Sequence, residues 1–274
     1  MGHWAKKLFG KEKFERVGLV LAGTSKPDFE KKALSYFDKV VYSRDAVYHA
    51  HLVKKANKFY PILTNIYGAP AMLDALTEIH DGGCRNLIFI GYAYGGLFKK
   101  NLDIGTLVVP KASYHFDGIY GVFDDSRTKS TPNRELRLKL KKILDKNDVP
   151  YMEGHNISVP AVTFQLPHEK YRSLKPRPIT LEMELASFFS RARELGIRAA
   201  AVLVISDNRT SSIFEDIKSK IRKKTKLRVI RHIVDNLSKL DLPNLKTKKK
   251  FDIDEHLGRI IEDPEDITNV YKKS

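Results

Sequence analysis

Two hydrophobic periods alternate along this chain. Val17-Gly-Leu-Val-Leu-Ala22 is an unbroken apolar run that ends in Gly23-Thr-Ser-Lys26, the pattern of a buried strand entering a loop. Residues 27–37 follow with helical spacing, and Pro27 suits a first helical turn, where a missing N–H is harmless. Strand-like runs recur at residues 39–42, 60–66, 86–91 and 106–110. Residues 71–80 carry apolar side chains at i, i+3 and i+4, with Gly82-Gly83 as the stop. Residues 133–147 form a basic helical segment, with Arg134, Arg137, Lys139, Lys141 and Lys142. Residues 154–178, rich in proline, histidine and basic side chains, read as a loop. The pattern then predicts a helix over 179–195, a strand over 198–206, a helix over 211–223 and a continued helical period over 228–240. Alternating strands and helices predict an α/β fold: one domain with a mixed, mainly parallel central sheet flanked by helices. That domain is expected to span residues 1–240, and residues 241–274 form a charged C-terminal tail.

Composition narrows the class. The 274 residues suffice for one large α/β domain or two small ones, and no linker splits them. A hydrophobic content of 42% suits a sizeable core. No apolar run is long enough to span a bilayer, and the first residues lack the apolar core of a signal peptide. The expectation is a cytoplasmic protein with no membrane partner. A single cysteine, Cys84, excludes an internal disulfide and any cysteine-based zinc site. Lys+Arg number 49 against 33 Asp+Glu, and the net charge of +16 draws the chain toward polyanions. Lys218-Ser-Lys-Ile-Arg-Lys-Lys-Thr-Lys226 is the most basic segment. The basic C-terminal region is therefore a candidate surface for nucleic acid or a ribosome. A Lys/Glu-rich surface with few cysteines equally fits a thermophile.

Candidate chemistry lies in two stretches. Thr180-Leu-Glu-Met-Glu-Leu-Ala186 places Glu182 and Glu184 at the predicted start of an apolar helix. Asp207 follows the buried run Ala199-Ala-Ala-Val-Leu-Val-Ile205. Open α/β sheets bind ligands at the carboxyl ends of their strands, where these carboxylates fall. Each also has a plain structural reading: first-turn acids on a helix dipole, or a turn residue before the next helix.

Seven segments fall in a familiar order: the loop at Gly23, Tyr42-Ser-Arg44, Asn65-Ile-Tyr-Gly-Ala-Pro70, Ile90-Gly-Tyr-Ala-Tyr-Gly-Gly-Leu97, Ser158–Tyr171, Glu182-Met-Glu184 and Ser206-Asp207. Over residues 17–240 this order resembles the nucleoside phosphorylase / uridine phosphorylase superfamily. The resemblance implies a nucleoside phosphorylase-like fold, with phosphate held by Gly23, Lys26, Gly91 and Tyr92. It gives Arg44 the role of an arginine that reaches a neighbouring subunit's phosphate site. It implies ribose binding by Glu182, Met183 and Glu184, with Glu184 taking the 2′- and 3′-hydroxyls. Phe164 would stack on the base, His168 and Lys170 would read it, and Asp207 would act as the acid. Glu184 and Asp207 are thus the implied catalytic pair.

The implied reaction is cleavage of a nucleoside's N-glycosidic bond, by phosphorolysis or by hydrolysis, releasing free base. It needs no metal and no cofactor, and phosphate serves as co-substrate in a phosphorylase. The resemblance further implies a homo-oligomer, a dimer or trimer of dimers. The chain departs from it in the phosphate half: Phe89 stands where the family carries an arginine, and the glycine loop carries Tyr92 and Tyr94. Losing a bidentate arginine weakens an oxyanion site. The His168–Tyr171 segment leans toward pyrimidine and Ser206-Asp207 toward purine. The competing reading is a diverged member that binds nucleotide, RNA or another polyanion through its basic surface.

Overall fold

A computed structural model describes residues 3–23, 27–97, 101–120, 128–161, 172–211 and 216–243. Ten strands run in chain order: β1 (Val17–Leu21), β2 (Lys39–Asp45), β3 (His49–Lys55), β4 (Lys58–Thr64), β5 (Asn86–Tyr94), β6 (Leu107–His115), β7 (Lys129–Ser130), β8 (Met152–Ser158), β9 (Pro178–Glu182) and β10 (Arg198–Asp207). The helices are α1 (His3–Phe9), α2 (Pro27–Leu34), α3 (Ala69–Asp81), α4 (Arg134–Lys146), α5 (Leu185–Glu194) and α6 (Asp216–Val234), followed by a 3₁₀ turn at Leu237–Leu240. Among the described residues no helix is long and apolar enough to cross a membrane.

The strands form one mixed sheet in the order β10-β6-β8-β9-β5-β1-β4-β3-β2, with β7 paired to β6 off this path. A further parallel ladder joins β10 to β5, so β10, β6, β8, β9 and β5 close into a ring and β1, β4, β3 and β2 extend from it. β5 therefore lies at the centre, with parallel ladders to β1 and β10. Its side chains alternate between two cores, as strand geometry requires. Leu87 and Phe89 pack with Leu76 of α3 and Phe188 of α5. Ile88 and Ile90 pack with Phe29 of α2, Leu140 of α4 and Ile230 of α6. Helices thus cover both faces, as the alternating pattern predicts.

Several local expectations change. Residues 179–182 form strand β9 rather than the start of a helix, because β-branched Ile179 and Thr180 follow Pro178 into pairing with β8. Within the predicted loop 154–178, residues up to Ser158 belong to β8. Asn156 and Ser158 fill buried positions there and conceal the strand period. Strand β3 is hidden in the same way by His49 and His51. Residues 224–227, between the two predicted C-terminal helical stretches, continue a single helix, α6, since no glycine or proline interrupts them. After the 3₁₀ turn the chain docks on the domain. Arg16 pairs with Asp241 at 3.0 Å, the Asn86 amide donates to the Leu242 carbonyl, and Leu242 is buried.

Candidate active site

The segments that carry the carboxylates flank the last residue of β5. Tyr94 pairs with Asp207 of β10 on one side and with Leu181 of β9 on the other. Asp207 and the Glu182–Glu184 segment therefore leave adjacent strand ends at the same end of the sheet. The Gly95 N–H donates to the Asp207 carbonyl at 2.9 Å and ties the glycine loop to that corner.

Glu182, 5% exposed, is the last residue of β9 and its carboxylate accepts four hydrogen bonds. Oε1 takes the Asn156 amide at 2.7 Å and the Ser158 hydroxyl; Oε2 takes the backbone N–H groups of Glu184 and Leu185, both at 2.7 Å. Asn156 is held by Ser113 and Thr180, and Ser158 by Ser113 and the Ala186 N–H. Glu182 is thus a strand-end acid that caps the first N–H groups of α5, in place of the predicted first-turn helix residue. Burial and the charge of Glu184 push its carboxyl up, against the donors from Ser158, the Glu184 N–H and Asn156.

Glu184, 7% exposed, is the N-cap residue of α5. Its Oε1 accepts the N–H of Gly68, the N-cap of α3, at 2.7 Å. Two helix N-termini therefore converge on one carboxylate, and their dipoles favour its charge. Burial pushes the Glu184 carboxyl up. The Gly68 N–H, Glu182, the Met183 N–H and the Lys226 charge act in the opposite direction. Between the acids, Met183 packs with Tyr114, Ile157 and Val159.

Lys226 of α6 is fully buried, and its charge acts on Glu184. Its ammonium donates to the Ala22 carbonyl and lies 4.0 Å from the centre of the Tyr92 ring. Burial pushes the amine down to about 7, with the Glu184 charge acting upward. The Tyr92 ring lies over Gly23: a Cβ on Gly23, whose φ is +67°, would meet it at 3.2 Å. Tyr92 thus lies against Gly23, and Gly91 and Tyr92, expected in the glycine loop, are residues of strand β5. Phe89 is fully buried, 5.4 Å from Phe188. Phe89, where the resemblance places an arginine, is thus part of the hydrophobic core.

Asp207 is half-buried, and the Ser206 hydroxyl donates to its Oδ1 at 2.5 Å. Burial pushes its carboxyl up; Ser206 and the Arg222 charge act against this. Arg222 itself donates to the Ser206 carbonyl at 3.3 Å. Arg44 lies on the exposed strand β2 and donates to the Lys7 carbonyl at 2.6 Å. Four strand spacings separate β2 from β5, roughly 19 Å, so Arg44 stands apart from Gly91 and Tyr92 within one chain. Lys26, Phe164, His168 and Lys170 lie outside the described residues.

The pattern reading missed Gly68, Asn156, Ser158, Arg222 and Lys226. Lys226 had a signal: Ser219, Arg222, Lys226, Val229, Ile230 and Ile233 form one buried helical stripe, with lysine at a core position of that period.

The fold has well-matched relatives among solved structures. Uridine phosphorylase from Vibrio fischeri superposes with a TM-score of 0.70 at 17% identity, covering 82% of this chain and 92% of that one. Purine nucleoside phosphorylase from Toxoplasma gondii, in complex with immucillin-H, gives 0.68 at 15% identity, covering 82% and 92%. The 5′-methylthioadenosine/S-adenosyl homocysteine nucleosidase of Campylobacter jejuni gives 0.67 at 14% identity, covering 82% and 100%. Both phosphate-using and nucleosidase relatives therefore share the fold. A sequence profile of the phosphorylase superfamily matches residues 20–234, and the chain belongs to that family.

Proposed function

We propose that the chain is a nucleosidase: it cleaves the N-glycosidic bond of a nucleoside with water as the acceptor. The observation that carries the cleavage reading is that Tyr94 pairs with Asp207 on one side and, on the other, with Leu181, close in the chain to Glu184. Glu184 accepts hydrogen bonds from the ribose hydroxyls and stabilises the positive charge that develops on the sugar. Asp207, its carboxyl raised by burial, donates a proton to the departing base. Water adds at C1′, its oxygen joining the sugar as the C1′–N bond breaks, so the products are free base and ribose.

Water is favoured over phosphate by the other half of the site. The Tyr92 ring packs over Gly23, and Phe89 faces the core. The buried cations there, among the described residues, are Lys226, engaged by the Ala22 carbonyl and the Glu184 charge, and Arg222, which donates to the Ser206 carbonyl. A homo-oligomer fits this reading, because β2 is exposed along its length and carries Val40, Val41, Tyr42 and Arg44.

The test is incubation of the purified chain with purine and pyrimidine nucleosides, with and without phosphate, and separation of free base, ribose and ribose 1-phosphate. Base release independent of phosphate is the expected result. Release that requires phosphate moves the reading to phosphorolysis, and no release from any nucleoside overturns it.

A further inference from the structure

A second polar cluster lies beyond the nucleoside site, under α2. Alternation along β3 turns His49, His51 and Val53 toward α2, and Val53 packs there with Phe29, Ala33 and Phe37. The two histidines thus occupy positions where a core strand carries apolar side chains. Glu30 of α2 faces both. His49 Nδ1 lies 3.1 Å from each Glu30 oxygen, and His51 Nε2 lies 2.6 Å from Oε1. One ligand-competent atom from each of the three residues falls within 4.8 Å of the others.

The second nitrogen of each ring is also engaged. His51 Nδ1 lies 2.8 Å from the Ser43 hydroxyl, and His49 Nε2 lies 3.4 Å from the Asn65 amide. Contacts of this kind fix ring orientation and tautomer around metal-ligating histidines. The Glu30 carboxylate is only 12% exposed, and among the described residues its ion-pair partners are these two histidines, with no lysine or arginine. With neutral imidazoles the cluster is a mostly buried anion that has no fixed countercharge.

We propose that Glu30, His49 and His51 form a binding site for a divalent transition metal of the zinc type. Two imidazoles and a carboxylate are the donor set such ions prefer. Tetrahedral coordination at ordinary bond lengths separates ligand atoms by about 3.3 Å; the Glu30–His49 distances of 3.1 Å are close to this, and the Glu30–His51 distance of 2.6 Å has to open to admit the ion. Access is from a groove of ≈ 480 Å³ between α2 and β2, lined by Glu30, Leu34, Phe37, Val40 and Ser43. The Thr64 hydroxyl, 3.1 Å from His51 Nε2, or a water from that groove fills the fourth position. The site is separate from the Glu184–Asp207 pair and does not depend on the nucleosidase reading.

The test uses the full chain, treated with a chelator, dialysed, and titrated calorimetrically with zinc chloride. A parallel titration with cobalt chloride is followed by visible absorption. The expected result is one zinc per chain and a cobalt spectrum of imidazole and carboxylate ligation. Glu30→Gln and His49→Ala should each weaken zinc at least tenfold and abolish that spectrum. His49 is the most exposed of the three, so its variant is the one expected to keep the native circular dichroism. A wild-type chain that binds no zinc shows a hydrogen-bonded network only and overturns the proposal, whatever the variants do. Unchanged zinc binding in both variants places the metal elsewhere and overturns it equally.

Discussion

The Lys226 ammonium of α6 sits, fully buried, 4.0 Å from the centre of the Tyr92 ring of β5. An aromatic face stabilises a cation, and the Ala22 carbonyl adds a hydrogen bond. The pair puts a positive charge within electrostatic reach of Glu184.

Stability should therefore depend on pH through Lys226. Burial lowers its amine from 10.5 to about 7. Between those values the unfolded chain holds a proton that the folded chain has released, so stability rises with pH across that window. Lys226→Met should flatten the rise, which amounts to a few kcal/mol in the wild type at 1.36 kcal/mol per pKa unit before relaxation is allowed for. Urea midpoints from pH 7 to 10.5 measure it, and an unchanged slope in the variant would refute the assignment.

Tyr92 offers a test of the acceptor. Tyr92→Ser removes the ring that lies over Gly23 and leaves Lys226 facing an open space. The variant should form ribose 1-phosphate from nucleoside and phosphate, whereas the wild type should form ribose alone. Phosphorus NMR distinguishes the products. If the wild type makes ribose 1-phosphate and the variant makes less, Tyr92 belongs to a working phosphate site.

Asp207 and Arg222 bear on the leaving group. Asp207→Asn should lower kcat on ordinary nucleosides by about 10²–10⁴. It should spare p-nitrophenyl riboside, whose leaving group departs without a proton. The acid must be protonated to act, so activity falls as pH rises through its pKa. The Arg222 charge lowers that pKa; Arg222→Met should therefore move the alkaline limb to higher pH. A limb that stays in place in the variant separates Arg222 from the acid.

Much of this could be read from residue patterns, and what could not has a physical reason. The strands of the central ladder are long apolar runs, so β1, β5 and β10 are legible. β3 and β8 are not, because the side chains that mark them as buried are His49, His51, Asn156 and Ser158. Those residues hydrogen-bond in the interior, and a hydropathy pattern scores them as exposed. Glu184 and Asp207 are legible because a carboxylate beside an apolar run stands out. Lys226 is the opposite case: it lies among eight other residues of a basic block, and only the helical period of its buried neighbours separates it from them. Gly68 leaves no mark of its own, since its role is a backbone N–H supplied to a residue 116 positions away.

The two glutamates, two residues apart, should answer the same substitution differently. Glu184 offers one oxygen to the Gly68 N–H, and a glutamine can make that bond with its carbonyl. Glu184→Gln should keep the fold and lower kcat/KM by about 10²–10³, the loss expected when a carboxylate no longer stabilises charge on the sugar. Because the Glu184 carboxyl is raised above 4.5, the wild type loses stability as pH rises from 4.5 through the folded value. The glutamine variant should show a smaller fall, the part left by Glu182, whose carboxyl burial also raises. Glu182 is surrounded by four donors, and two of them are backbone N–H groups at the start of α5. A glutamine there turns its NH₂ either toward those two N–H groups or toward Asn156 and Ser158. Donors then face donors in a buried place, at about 1–3 kcal/mol for each unsatisfied group. Glu182→Gln should therefore lower the denaturant midpoint as well as the activity. Measuring both variants by urea unfolding and by steady-state kinetics decides the matter: equal stability loss in the two would place Glu182 and Glu184 in one structural role and remove the case for Glu184 as the ribose ligand.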